Sequence, residues 1–117
     1  MKRILVAEDN DSNYILMTYV LRGKYEFDRA INGQEAVTMA TNTNYDLVLM
    51  DMKMPVMDGL EATRQLKAKR PELPVIALTA NAFDHDRDMA LEAGCDDFMT
   101  KPISQAACLE LIAKYIG

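Results

Sequence analysis

Short, almost wholly apolar runs alternate along the chain with longer stretches in which apolar residues recur every three or four positions. Residues 3–7 (RILVA), 46–50 (DLVLM) and 75–78 (VIAL) are of the first kind. Such continuity predicts strands buried on both faces, as in a parallel sheet covered by helices on its two sides. Residues 27–31 (FDRAI) and 97–100 (DFMT) mix polar and apolar positions and read as strands at the sheet edges. Between these runs, Ile15, Leu16, Tyr19 and Val20 share the core face of a first helix that stops near Gly23. Ala36, Val37 and Ala40 form the stripe of a second helix. Leu60, Thr63 and Leu66 form that of a third, which ends before Pro71. A fourth helix over residues 82–93 is weakly amphipathic, and its segment 84–88 (DHDRD) is nearly all charged. The fifth starts from Ser104 as N-cap and places Cys108, Leu111, Ile112 and Tyr115 on one face.

Strand and helix thus alternate five times, with no linker, repeat or low-complexity tract between them. That alternation defines an α/β fold: a five-stranded parallel sheet with right-handed crossovers and helices on both sides. The burial pattern puts the first, third and fourth strands in the centre and the second and fifth at the edges. The flavodoxin-like order 2-1-3-4-5, a three-layer (βα)5 sandwich, meets that condition. A length of 117 residues fits a single domain over 1–117.

Composition narrows the classes. Hydrophobic residues make up 50% and charged residues 26%, an ordinary globular balance. The net charge of -5 argues against a primarily nucleic-acid-binding surface. The two cysteines, Cys95 and Cys108, and the single histidine, His85, lack zinc-site spacing, and read as reduced thiols and an exposed helix residue. No stretch approaches the roughly 20 apolar residues of a membrane helix, and the apolar run after the basic start is too short for a signal peptide. A cytoplasmic location without membrane insertion is expected.

Ligands of an open parallel sheet bind beyond the carboxyl ends of the strands. Glu8 and Asp9 follow the first strand, Asp51 the third, Thr79 and Ala80 the fourth, and Lys101 the fifth. Clustered carboxylates repel one another, and a hard divalent cation with oxygen ligands resolves the conflict. Magnesium suits two or three carboxylates, a backbone carbonyl and open positions for phosphate oxygens. Thr79 and Lys101 suit an incoming phosphoryl group, one as hydroxyl donor and the other as point charge. Lys53 and Asn81, two residues after Asp51 and Thr79, are placed to tune how long the phosphate survives. Pro55 and Gly59 shape the loop after Asp51, while Met50, Met52, Met54 and Met57 read as packing and loop residues.

Glu8-Asp9-Asn10, Asp51 followed by MKMPVMDG, Thr79-Ala80 and Lys101-Pro102 together resemble the receiver domain of two-component response regulators, over nearly the whole chain. The resemblance implies that Asp51 is the phosphoacceptor. Asp9 and Asp51 would ligate magnesium (manganese being the alternative ion), with Glu8 acting through water and the Lys53 carbonyl as a further ligand. It implies that Thr79 is the switch hydroxyl, Phe98 the switch aromatic, and Lys101 the phosphoryl-binding lysine, before a proline bond that is often cis in the family. Lys53, Ala80 and Asn81 would neighbour the phosphoryl group.

The implied donor is a phosphohistidine on a histidine kinase or histidine phosphotransfer protein, docked near Asn13 and Tyr14. A downstream partner would read the face of the fourth helix, fifth strand and fifth helix. The segments MPVMDGLEAT and ALTANA are similar to receivers attached to hybrid sensor kinases, which favours a phosphorelay. Two other readings compete: a turnover phosphatase with an aspartate nucleophile, and a receiver-like interaction module that takes no phosphate. A phosphatase of the haloacid-dehalogenase kind would carry DxD after the first strand, where this chain has Glu8-Asp9-Asn10-Asp11. The complete acidic set with Thr79 and Lys101 speaks against the inert module. The chain is expected either to act alone or to be one domain of a larger protein.

Overall fold

The computed structural model describes residues 1–80 and 84–117, with Asp84 given by its backbone alone. Five strands and five helices alternate: β1 (Arg3–Ala7), α1 (Asp11–Leu21), β2 (Glu26–Ala30), α2 (Gly33–Asn42), β3 (Leu47–Asp51), α3 (Gly59–Lys69), β4 (Val75–Thr79), α4 (Asp84–Ala93), β5 (Asp97–Thr100) and α5 (Gln105–Ile116). The strands form one parallel sheet in the order β2-β1-β3-β4-β5, as expected.

Strand periodicity divides the core in two. Leu5, Ala7, Val48, Met50, Val75 and Ala77 pack on the side of α2, α3 and α4. Their neighbours Ile4, Val6, Leu47, Leu49, Ile76 and Leu78 pack on the side of α1 and α5. All of these are buried, and full burial of each larger aliphatic side chain contributes about 2 kcal/mol. That two-sided burial is why the central strands are continuously apolar.

Four helices start from a side chain that caps the first turn. Asn10, Asn32, Asp58 and Ser104 each accept a hydrogen bond from the amide three residues on. These caps satisfy amides that would otherwise lack intrahelical partners. They lie close to the strand ends, so the loops that carry the chemistry are short.

Several boundaries differ from the sequence reading. β2 spans Glu26–Ala30 rather than 27–31, and Ile31 is 48% exposed beyond it. β3 begins one residue later and takes in Asp51, which pairs with Leu78. β4 extends to Thr79, paired with Thr100. Asp51 and Thr79 are therefore the last residues of their strands, held in the hydrogen-bond ladder rather than in the loops after it. The part of the fourth helix expected over residues 82 and 83 lies outside the described residues.

The face assigned to α1 is a correction. Ile15, Leu16 and Tyr19 are 53%, 43% and 63% exposed, whereas Met17, Val20 and Leu21 are buried against the sheet. The helix is apolar nearly all round (YILMTYVL), so periodicity alone did not select the inward stripe. Gly23 follows the helix with a φ of 80°, as a C-terminal stop requires. α5 buries Cys108 and Ile112 and half-buries Leu111 and Tyr115, as its spacing predicts.

Candidate phosphoacceptor and metal site

The carboxyl ends of β1, β3, β4 and β5 converge on a cavity of ≈ 700 Å³. Glu8, Asp9, Asp51, Lys53, Thr79, Ala80 and Lys101 all line it. Lys101 Nζ lies 2.9 Å from Glu8 Oε1 and 3.2 Å from Asp51 Oδ1. The Lys101 amide donates to the Thr79 carbonyl at 2.8 Å, and the Lys101–Pro102 peptide is cis, as the resemblance implied.

Asp51 is 6% exposed and Glu8 2%. Asp51 Oδ1 also accepts from the Lys53 amide at 3.3 Å, and Glu8 Oε2 accepts from the Asn10 amide at 3.3 Å. Gly59 permits the chain to turn here, because a Cβ at that position would fall onto the Asp51 carbonyl oxygen. Its amide donates to the Met52 carbonyl at 3.1 Å. Val56, at the exposed tip of the same loop, adopts a φ of 69°, which is uncommon for a β-branched residue.

Burial and the neighbouring Asp51 carboxylate push the Glu8 carboxyl up to about 6, although Lys101 pulls it the other way. For Lys101, burial disfavours the charged ammonium, but Glu8 and Asp51 outweigh it and the net shift is upward. One oxygen from each of Glu8, Asp9 and Asp51 lies within 4.8 Å of the others. Among the described residues, the three carboxylates of Glu8, Asp9 and Asp51 gather beside the one bridging ammonium of Lys101, so the cluster retains excess negative charge. An oxygen-ligand set of this kind fits a divalent cation.

The remaining predicted residues are placed as follows. Thr79 is buried, and its hydroxyl donates to the Met99 carbonyl at 3.4 Å. Ala80 is exposed at the cavity mouth, and the Lys53 side chain is likewise exposed. Phe98 is half-buried and packs with the core cluster of α2, α3 and α4 rather than with the carboxylates. Asn81 lies outside the described residues.

Sequence reasoning missed Asp58, Leu60, Asp86 and Met89, which line the cavity from α3 and α4. Asp58 carried a usable signal, since it caps α3 next to the Asp51 loop. The α4 residues carried none, because their approach depends on how that helix packs.

Comparison with known proteins agrees with this geometry. The family model of the response regulator receiver domain matches residues 4–113. The chain is 37% identical to the polar-differentiation response regulator DivK of Brucella anthropi, over 99% of this chain and 97% of DivK. It is 38% identical to two-component system protein A of Emericella nidulans over 99% of this chain, but spans only 18% of that protein. It spans 4% of hybrid signal transduction histidine kinase G of Dictyostelium discoideum.

Among solved structures, the receiver domain of sensor histidine kinase PA1611 from Pseudomonas aeruginosa is 38% identical with a TM-score of 0.93, covering 99% of this chain and 98% of that one. That structure holds a magnesium ion in its active site cleft. The receiver domain of Ssk1 from Saccharomyces cerevisiae, in complex with the histidine phosphotransfer protein Ypd1, is 31% identical with a TM-score of 0.92, covering 97% of this chain and 88% of that one. The chain belongs to the response regulator receiver domain family and is a receiver domain of two-component signalling. Among the described residues, no helix is long and apolar enough to cross a membrane.

Proposed function

We propose that residues 1–117 form one receiver domain that accepts a phosphoryl group on Asp51 and loses it slowly to water by self-dephosphorylation, without turning over a substrate. The observation that carries this reading is the bridging Lys101 ammonium, 2.9 Å from Glu8 and 3.2 Å from Asp51. It leaves a buried nucleophilic carboxylate beside a fixed cation, in a cavity open to a donor.

Asp9, Asp51 and the Lys53 carbonyl would hold magnesium (or manganese) directly, with Glu8 acting through water. When bound, the ion neutralises charge that develops on the transferred oxygens. An Asp51 carboxylate oxygen attacks the phosphorus of a phosphohistidine in line. The P–O bond forms as the P–N bond breaks, and the imidazole leaves with the electron pair. Lys101 then neutralises a phosphoryl oxygen. The Thr79 hydroxyl turns from the Met99 carbonyl to donate to a second phosphoryl oxygen, and Phe98 moves inward behind it. The face of α4, β5 and α5 changes as a result, and a downstream partner reads that face. Lys53 and Ala80 neighbour the phosphoryl group, and Lys53 and Asn81 tune how long it survives.

The donor is a histidine kinase or histidine phosphotransfer protein, and the protein works in the cytoplasm. This reading draws support from the Ssk1 receiver, which forms a complex with a phosphotransfer protein. Incubation with magnesium and acetyl phosphate should give a phosphoryl adduct by intact mass that is lost in Asp51→Asn. An adduct surviving in that variant, or continuous phosphate release from simple esters, would overturn the proposal.

A further inference from the structure

The magnesium reading gives Asp9 a ligand's role, yet its side chain makes no hydrogen bond or ion pair among the described residues. Its position must come from the backbone. The peptide that joins Glu8 to Asp9 is planar, so fixing the Glu8 carbonyl oxygen also fixes the nitrogen and Cα of Asp9. That carbonyl is held by a side chain from the neighbouring strand: Arg29 Nε donates to it at 3.0 Å.

The same guanidinium makes two further contacts. Its NH2 group donates to Asp11 Oδ1 at 2.9 Å, at the first residue of α1. Its carbon lies 4.5 Å from the centroid of the Tyr14 ring, one turn further along that helix. Next to Arg29 in β2, the Ala30 carbonyl accepts from the Glu8 amide at 3.0 Å. Both sides of Glu8 are therefore tied to the end of β2, and α1 is tied to the same group. A planar fork stacked on a ring can span a carbonyl and a carboxylate at once, whereas a lysine offers a single point donor.

We infer that Arg29 is a positioning residue for the magnesium site, orienting Asp9 through the Glu8–Asp9 peptide. The inference rests on the reading above, in which Asp9 is a ligand. The direction of the effect separates positioning from simple charge. Arg29 is a cation near an acidic cluster, so removing its charge alone would tighten magnesium binding. Loss of an outer partner that orients a ligand instead weakens it, by roughly tenfold or more.

The test is magnesium titration of the whole chain, followed by calorimetry and by amide NMR shifts, in wild type, Arg29→Met, Arg29→Lys and Asp9→Asn. Thermal melts in EDTA establish that each variant is folded. Arg29→Met should bind magnesium roughly tenfold more weakly, with Arg29→Lys falling between it and wild type. A folded Arg29→Met that binds as tightly as wild type, or more tightly, overturns the inference. If Arg29→Met does not fold, Arg29→Lys decides, and wild-type affinity in that variant overturns it. Wild-type binding that Asp9→Asn leaves unchanged would instead overturn the metal reading on which the inference stands.

Discussion

Each end of the sheet holds a part-buried lysine paired with a carboxylate, and the two pairs have different surroundings. At the amino end, Lys67 Nζ lies 2.7 Å from Asp96 Oδ2 and donates to the Leu73 carbonyl at 2.6 Å and the Pro71 carbonyl at 3.4 Å. Asp96 Oδ2 also accepts from the Val75 amide at 2.9 Å. Every strong partner there is another part of the chain, and one cation meets one anion. At the carboxyl end, Lys101 meets Glu8 and Asp51, with Asp9 close by, beside a cavity. The bond lengths are alike. Charge balance and access separate a structural clasp from a site prepared for an ion and a phosphoryl group.

The clasp should show the largest effect on stability. Asp96→Ala strands the Lys67 ammonium and the Val75 amide, and should cost about 3 kcal/mol in urea unfolding, with or without magnesium. Adding Lys67→Met should restore part of the loss. A magnesium-dependent cost would show that the clasp is coupled to the carboxyl-end cluster.

The carboxyl end should respond to pH in the opposite sense from a stabilising carboxylate pair. Because folding raises the Glu8 carboxyl from 4.5 to about 6, the folded state holds that proton more tightly than the unfolded chain. The group's contribution is complete below pH 4.5 and is lost as pH rises through about 6. In EDTA, Glu8→Gln should match wild type at the acid end of that window. Above it the variant should be more stable by about 2 kcal/mol. Equal stability at neutral pH would mean that the cluster carries no repulsion.

Lys101→Met should lose about 1 kcal/mol in EDTA, because Glu8 can protonate in compensation. Saturating magnesium should erase the loss, since a divalent cation takes over the neutralisation. A loss that persists in magnesium would make Lys101 a second clasp like Lys67.

Much of the sheet was legible because both its faces are buried, which writes continuous apolar runs into β1, β3 and β4. The site was legible for a related reason: open parallel sheets gather their chemistry at strand ends, and Glu8, Asp51, Thr79 and Lys101 all sit there. The inward face of α1 was not, because Ile15, Leu16 and Tyr19 are as apolar as the residues that are buried. Arg29 was equally hidden. An arginine in a mixed edge strand reads as a solvated charge, and only the β1–β2 register brings it to Glu8 and the placement of α1 to Tyr14. Strand ends were displaced by a residue where a polar side chain belongs to the ladder, as with Asp51 and Thr79.

The dispersal of the site along the chain has a consequence for its birth. β1 and β3 are central neighbours, so Glu8, Asp9 and Asp51, which gather at their ends, are all made well before the chain reaches β5. Lys101 follows the last strand, at the far edge of the sheet. At ribosomal speeds Lys101 is made roughly several seconds after Asp51, and a domain of this size folds as a unit. The three carboxylates therefore gather only once the ammonium that faces them has been made, and in the unfinished chain they stay apart and solvated.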